Sequence, residues 1–237
     1  MSFPAFPFKN GASSNMKYAS FAGSALKIQG AIRFISWLVP CALLGLSLAP
    51  VAWAGGEPCA ALTNATIVII RHAEKPERGP ELAPAGTRRA GAYADFFQRL
   101  ELDGHPFRPD HLFCTADSNG SHRPRLTLEP LSRALKLPID HRFANQNVAE
   151  LGRELRARAH GQNLLICWHH GKIPALLASL GAQPELVLPH AKWPDDVFGW
   201  MIELHYDATG RLLAARCLPE NLMPEDQAVP ANHEPQP

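Results

Sequence analysis

The sequence predicts an α/β fold: a mostly parallel central sheet flanked by helices on both faces, with a C-terminal antiparallel hairpin. Two observations carry this reading. Strand-like apolar runs, the first being "TIVII" from Thr66 to Ile70, alternate with helix-like segments as far as Gly181. After Trp193 the pattern changes to two strand-like runs around the turn residues "DATG", which read as a hairpin added to the sheet.

The elements follow in order. "PAGTRRAGAYADFFQRL" places Ala90, Tyr93, Phe96, Phe97 and Leu100 on one helical face. "HLFCT" is the next strand, and "RPRLTLEPLSRAL" and "NVAELGRELRARA" are the next helices. "NLLICW" is a buried strand, and "PALLASLG" is a helix that Pro174 opens and Gly181 closes. From Pro219 the chain is rich in Pro, Glu, Gln and Asn, so 219–237 is expected to be a flexible tail. One domain, over 55–218, is expected.

Residues 1–54 carry Lys9, Lys17, Lys27 and Arg33 but no acid, and an uncharged run leads to "AWA" at Ala52–Ala54. This is the pattern of a signal peptide cleaved after Ala54, which predicts a periplasmic or secreted product with no stable membrane insertion afterwards. The alternative is an uncleaved anchor, since the uncharged run is long enough to span a bilayer. Pro40, Pro50 and the small-residue triplet weigh against it. The whole chain has 23 basic and 22 acidic residues, and removing the leader's four cations leaves a slightly acidic domain. No basic surface for nucleic acid follows. Cys59, Cys114, Cys167 and Cys217 remain after cleavage. They could pair outside the cytoplasm, or serve as buried strand thiols in the case of Cys114 and Cys167.

The first strand ends in Arg71 and His72, and "NLLICW" ends in His169 and His170. Ligands in open α/β sheets sit outside the carboxyl ends of the strands, so these two strand ends imply one site. "HLFCT" leads to Arg123 and Arg125 at a helix start. Histidine facing guanidinium groups suggests an anion, gripped by paired donors and by helix N–H groups; phosphate is the simplest occupant.

Four segments in order, "IVIIRHAEKP", "ELAPAGTRRA", "SHRPRLTLEPL" and "LLICWHHGKIPALLASLG", resemble the motifs of the histidine phosphatase superfamily over Thr66 to Gly181. The family's Arg-x-x-x-Thr pattern matches Arg123 with Thr127 rather than Arg125, and its His five before Pro matches His169 before Pro174. Ala83 stands where a hydroxyl residue is usual, and Trp168 where glycine is usual. The resemblance implies that His72 attacks phosphorus and becomes a phosphohistidine, which water hydrolyses. Arg71, Arg123 and a protonated His169 would hold the phosphate and keep His72 neutral. Neither metal nor cofactor is required. A zinc site of His72, His169 and His170 is disfavoured, because adjacent histidines rarely reach one ion from a strand end and two arginines would repel it.

No leaving-group acid matches the family's pattern. Glu74, His170, Asp117, Glu150, Asp195 and Asp196 are candidates for pocket or acid, and a phosphoramidate or acyl phosphate would need no strong acid. The expected activity is therefore an exported phosphatase for a phosphomonoester or phosphoramidate on a small molecule or glycan. A mutase is disfavoured outside the cytoplasm. The rival is a noncatalytic envelope protein that keeps the phosphate cradle without turnover.

Overall fold

The computed structural model describes residues 61–226 together with 228 and 229. The expected leader and its cleavage site, Cys59 and the end of the expected tail lie outside these residues. No helix among the described residues is long and apolar enough to cross a membrane.

The chain runs β1 (Thr66–Arg71), α1 (Pro84–Arg99), β2 (Glu101–Leu102), β3 (His105–Pro106), β4 (His111–Thr115), α2 (Arg123–Leu135) and β5 (Ile139–Phe143). It continues through α3 (Val148–Arg158), β6 (Asn163–Trp168), α4 (Ile173–Ser179), α5 (Pro184–Val187), β7 (Trp200–Tyr206) and β8 (Leu212–Pro219). The main sheet has the strand order β5-β4-β6-β1-β7-β8. Its β5, β4, β6 and β1 are mutually parallel, whereas β7 and β8 form the antiparallel hairpin and β7 lies against β1.

Alternation along the strands divides the core into two layers. Ile67 and Ile69 of β1, with Leu164 and Ile166 of β6, face Leu151 and Leu155 of α3 and Leu176 and Leu177 of α4. Val68 and Ile70, with Leu165 and Cys167, face Tyr93 and Phe97 of α1 and Leu128 and Leu131 of α2. Burial on both faces is why these strands read as unbroken apolar runs.

Three features differ from the sequence expectations. The edge strand β5, "IDHRF", was not anticipated; its side chains are largely polar and only Phe143 is fully buried. Within α1, Arg89 is buried beside Tyr93 and Phe97, while Phe96 and Leu100 are only partly covered. The tail does not begin at Pro219, because that residue ends β8 and Glu220 is buried next to it. Cys114 and Cys167 are buried thiols at paired positions of β4 and β6, and Cys217 is also a free thiol.

Candidate active site

Because β1 and β6 are parallel and in register, Arg71 pairs with Trp168, and His72 and His169 leave the sheet side by side. The His72 N–H donates to the Trp168 carbonyl at 3.1 Å, extending the ladder by one bond. The two imidazole rings meet edge to face with centroids 4.9 Å apart. Antiparallel β7 brings Met201 opposite Ile70, which sets the loop before β7 beside the same strand end.

Arg71 is fully buried. Its Nη1 donates to the carbonyls of Pro194, Asp195 and Val197 at 3.1, 2.8 and 2.8 Å, and its guanidinium lies 3.8 Å over the Phe198 ring. Trp193 braces this loop by donating from Nε1 to the Val197 carbonyl at 2.8 Å. The buried Nε and Nη2 of Arg71 make no hydrogen bond among the described residues. These two N–H groups form the guanidinium edge that can grip an oxyanion with parallel bonds. Burial lowers the Arg71 pKa to about 10, against the pull of Asp195, Glu74 and Asp196, so it stays cationic at neutral pH.

His72 Nδ1 lies 2.7 Å from the Ala73 carbonyl oxygen. A carbonyl only accepts, so Nδ1 carries the hydrogen and the neutral ring keeps its lone pair on Nε2. Burial pushes the His72 pKa down to about 3, with His169, Arg71 and Arg123 adding repulsion and the Ala73 bond opposing. His72 is thus unprotonated at neutral pH.

His169 departs from expectation. Burial, followed by Arg123, His170 and Arg71, lowers its pKa to about 4, so it is neutral rather than protonated in the free protein. The cations that keep His72 neutral act on His169 as well. A bound anion would offset that repulsion.

Arg123 enters from the start of α2, where Nη1 and Nη2 donate to the Gly79 and Gly120 carbonyls at 2.9 and 3.3 Å. Burial lowers its pKa, and its charge reaches His72, His169 and Arg71. Buried Thr127 donates to the Arg123 carbonyl at 2.8 Å and accepts the Ala73 N–H at 2.9 Å. Arg125 is paired instead with Asp117 at 2.8 Å and with Glu129. The helix start supplies less backbone than expected, since Pro124 has no N–H and the Arg123 N–H is directed to the Ser121 hydroxyl at 3.4 Å.

Most of the candidate acids are engaged by other groups. Glu74 Oε1 receives Nε and Nη2 of Arg89 at 2.9 and 2.8 Å, while its buried Oε2 makes no hydrogen bond among the described residues. Asp117 is bound to Arg125, and exposed Glu150 accepts from Asn147 Nδ2 at 2.9 Å at the start of α3. His170 Nε2 pairs with Asp195 at 2.8 Å, while its buried Nδ1 makes no hydrogen bond among the described residues. Burial and Arg71 lower the His170 pKa, with Asp195 opposing. Asp196 is exposed, and its charge acts on Arg71.

Sequence reasoning missed the backbone of 194–197 and Phe198 as parts of this site, and Arg89 as the partner of Glu74. A faint signal existed for the loop, because a hairpin strand antiparallel to β1 must start beside the carboxyl end of β1.

No family model matches the chain, and no curated protein matches it. Solved structures to which it is similar include the phosphoserine phosphatase of Entamoeba histolytica, at 13% identity and TM-score 0.43, covering 64% of this chain and 96% of that one. A mycobacterial glucosyl-3-phosphoglycerate phosphatase matches at 16% identity and TM-score 0.41, covering 67% and 99%. The phosphoglycerate mutase of Bacillus anthracis matches at 12% identity and TM-score 0.42, covering 67% and 94%. Two of these neighbours are phosphatases and one is a mutase.

Proposed function

We propose that this chain is a metal-independent histidine phosphatase that hydrolyses a phosphomonoester or phosphoramidate through a phosphohistidine on His72. The observation that carries the reading is the fixed tautomer: the Nδ1–H bond to Ala73 leaves Nε2 as the nucleophile beside two cations. The unengaged edge of Arg71 and the Arg123 guanidinium supply charge where the equatorial oxygens of a transferring phosphoryl group need it.

In the first step Nε2 attacks phosphorus, the P–N bond forms, and the bond to the leaving group breaks with its electron pair. In the second step water attacks phosphorus, the P–N bond breaks, and His72 and inorganic phosphate are released. With Asp117 and Glu150 engaged elsewhere and Glu74 clasped through Oε1 by Arg89, substrates that need no proton from the protein fit best, namely acyl phosphates, aryl phosphates and phosphoramidates already protonated on nitrogen. The proposed setting is the periplasm or exterior after cleavage following Ala54, with a phosphorylated small molecule or glycan as substrate. N-terminal sequencing of the envelope protein tests the cleavage.

An assay with 4-nitrophenyl phosphate and alkaline-quench trapping of phosphoenzyme tests the activity. Turnover and an acid-labile, base-stable label in wild type, both lost in His72→Ala, are the expected result. Phosphate or vanadate binding without turnover of any ester would favour the noncatalytic binder.

A further inference from the structure

Behind the nucleophile lies a buried charge cluster that the phosphatase chemistry does not use. Arg89 of α1 makes five hydrogen bonds, as many as its N–H donors. Nε and Nη2 donate to Glu74 Oε1, Nη1 to Glu220 Oε2 at 3.0 Å and Asp226 Oδ2 at 3.2 Å, and Nη2 to Asp226 Oδ1 at 2.6 Å. The Tyr93 hydroxyl lies 2.9 Å from both Glu220 oxygens. The side chains of Arg89, Glu220 and Asp226 are 1%, 0% and 2% exposed, so solvent screens this cluster little.

Each partner is held from its own side. Asp226 Oδ2 caps the Leu222 and Met223 N–H groups at 2.8 and 2.9 Å, and its carboxylate occupies the space that a Cβ on Gly199 would take. The Glu220 N–H donates to the Gly199 carbonyl at 2.8 Å. The Glu74 carbonyl accepts the Ala83 N–H at 2.9 Å, and Gly86 approaches the Glu74 backbone so closely that a Cβ there would lie 2.5 Å from its oxygen. Glu74 stands two positions after His72, so whatever fixes it limits the freedom of the turn that carries the nucleophile.

We propose that Glu220 to Asp226 is a positioning strap, clasped by Arg89, that holds the Glu74 turn and through it the aim of His72. The proposal rests on His72 being the nucleophile for its effect on rate, but its effect on the turn is independent of that reading. Arg89, Glu220 and Asp226 are positioning residues, since none touches the phosphate cradle. Three carboxylates around one guanidinium also leave an excess of negative charge. Burial raises the Glu220 pKa to about 8, with Arg89 and Tyr93 opposing and Asp226 adding to it, so the cluster is least strained with Glu220 protonated. Glu74, from the turn after β1, and Cys167, from β6, complete the groups facing it.

Arg89→Met strands three carboxylates, two of them fully buried, and risks loss of folding, so Asp226→Asn and Gly199→Ala are the working variants. The first weakens the clasp, and the second pushes the Asp226 carboxylate away without touching Arg89 or Glu74. Both should lower kcat for 4-nitrophenyl phosphate by about ten- to a hundredfold, the scale of a displaced reacting group, with KM nearly unchanged. Both should speed amide hydrogen exchange in the peptide over 72–75. Leu151→Ala, in the opposite core layer, serves as the control of lowered Tm and should change neither. Glu220→Gln should resemble wild type at pH 7 and lose any change in kcat that wild type shows as pH rises through 8. Exchange and kcat in both working variants equal to those of the control at matched Tm would overturn the strap. If wild type shows neither turnover nor phosphoenzyme, the phosphatase reading fails while the exchange comparison still decides the strap.

Discussion

The Thr127 hydroxyl accepts the Ala73 N–H at 2.9 Å and donates to the Arg123 carbonyl at 2.8 Å, so one buried side chain ties the turn after His72 to the start of the helix that carries Arg123. Thr127→Val keeps the shape and removes both bonds. The buried Ala73 N–H would then lack a partner, at a cost of about 1–3 kcal/mol. We expect Thr127→Val to lower both Tm and kcat, and Thr127→Ser to restore most of each. Thermal denaturation and steady-state kinetics on the pair check this; a kcat for Thr127→Val equal to wild type would remove Thr127 from the positioning of His72.

Arg123 and Arg125 sit two positions apart but face different partners. Arg123→Ala should lower kcat by roughly two to three decades, as for loss of one donor to a transition-state oxyanion, about 2.7–4 kcal/mol. Arg125→Ala breaks partly exposed pairs with Asp117 and Glu129, which are worth roughly 0–1 kcal/mol at the surface, and should leave kcat within about threefold of wild type. Comparable damage from the two substitutions, measured as kcat and phosphate affinity, would reverse the assignment.

Much of this site was legible because its parts lie where sequence patterns end. The buried runs of β1 and β6 mark two adjacent parallel strands, and whatever follows them, Arg71, His72 and His169, must emerge at one sheet edge. Arg123 was preferred to Arg125 through the resemblance to an Arg-x-x-x-Thr motif, and the hydrogen bond between Thr127 and the Arg123 carbonyl is a physical counterpart of that spacing. Arg89 was illegible. A cation among Ala90, Tyr93 and Phe97 reads as solvent-facing until its partners are known, and Glu220 and Asp226 lie 131 and 137 positions away. The β5 strand was missed for a local reason, since its edge position leaves Asp140, His141 and Arg142 without the apolar alternation that marks a strand. The charge state of His169 was misread because burial, which sequence does not reveal, outweighs any benefit of a cation beside a site that holds no anion.

The lowered histidine pKa values set the pH profile. His72 must be neutral to attack, and its pKa of about 3 places the loss of kcat/KM well below the ordinary histidine range. The rate should therefore hold from neutral pH down to about pH 5 and fall below it. Stability follows the opposite partner in the cycle. Unfolded His72 takes up a proton near pH 6.5 while the folded residue does not until about pH 3, so the unfolded state binds more protons in that window. Folding stability contributed by His72 is present above 6.5 and is lost as pH falls towards 3. Urea midpoints at pH 7 and pH 5 should drop further in wild type than in His72→Asn, which has no imidazole to charge. An acid limb of kcat/KM near pH 6.5, with equal stability loss in both proteins, would contradict a buried neutral His72.

The last prediction concerns the leaving group. Asp117 and Glu150 are each committed to another partner, Glu74 is clasped through Oε1 by Arg89, and His170 is bound through Nε2 to Asp195. Without a positioned acid the enzyme forgoes the roughly 10²–10⁴-fold that general acid catalysis supplies. That deficit should fall on substrates whose leaving group needs a proton. An acyl phosphate, 4-nitrophenyl phosphate and a phosphoramidate that arrives protonated on nitrogen should turn over readily, and a simple alkyl phosphate should be slower by about that same factor. His170→Asn should leave the ratio between 4-nitrophenyl and alkyl phosphate unchanged, while His169→Asn should depress the rates for both by weakening the cradle. Single-turnover measurements with the two esters on wild type and both variants read this directly. If alkyl phosphate is hydrolysed nearly as fast as 4-nitrophenyl phosphate in wild type, and His170→Asn slows the alkyl ester alone, then the His170–Asp195 pair is the missing acid. In that case substrate choice would not be confined to good leaving groups.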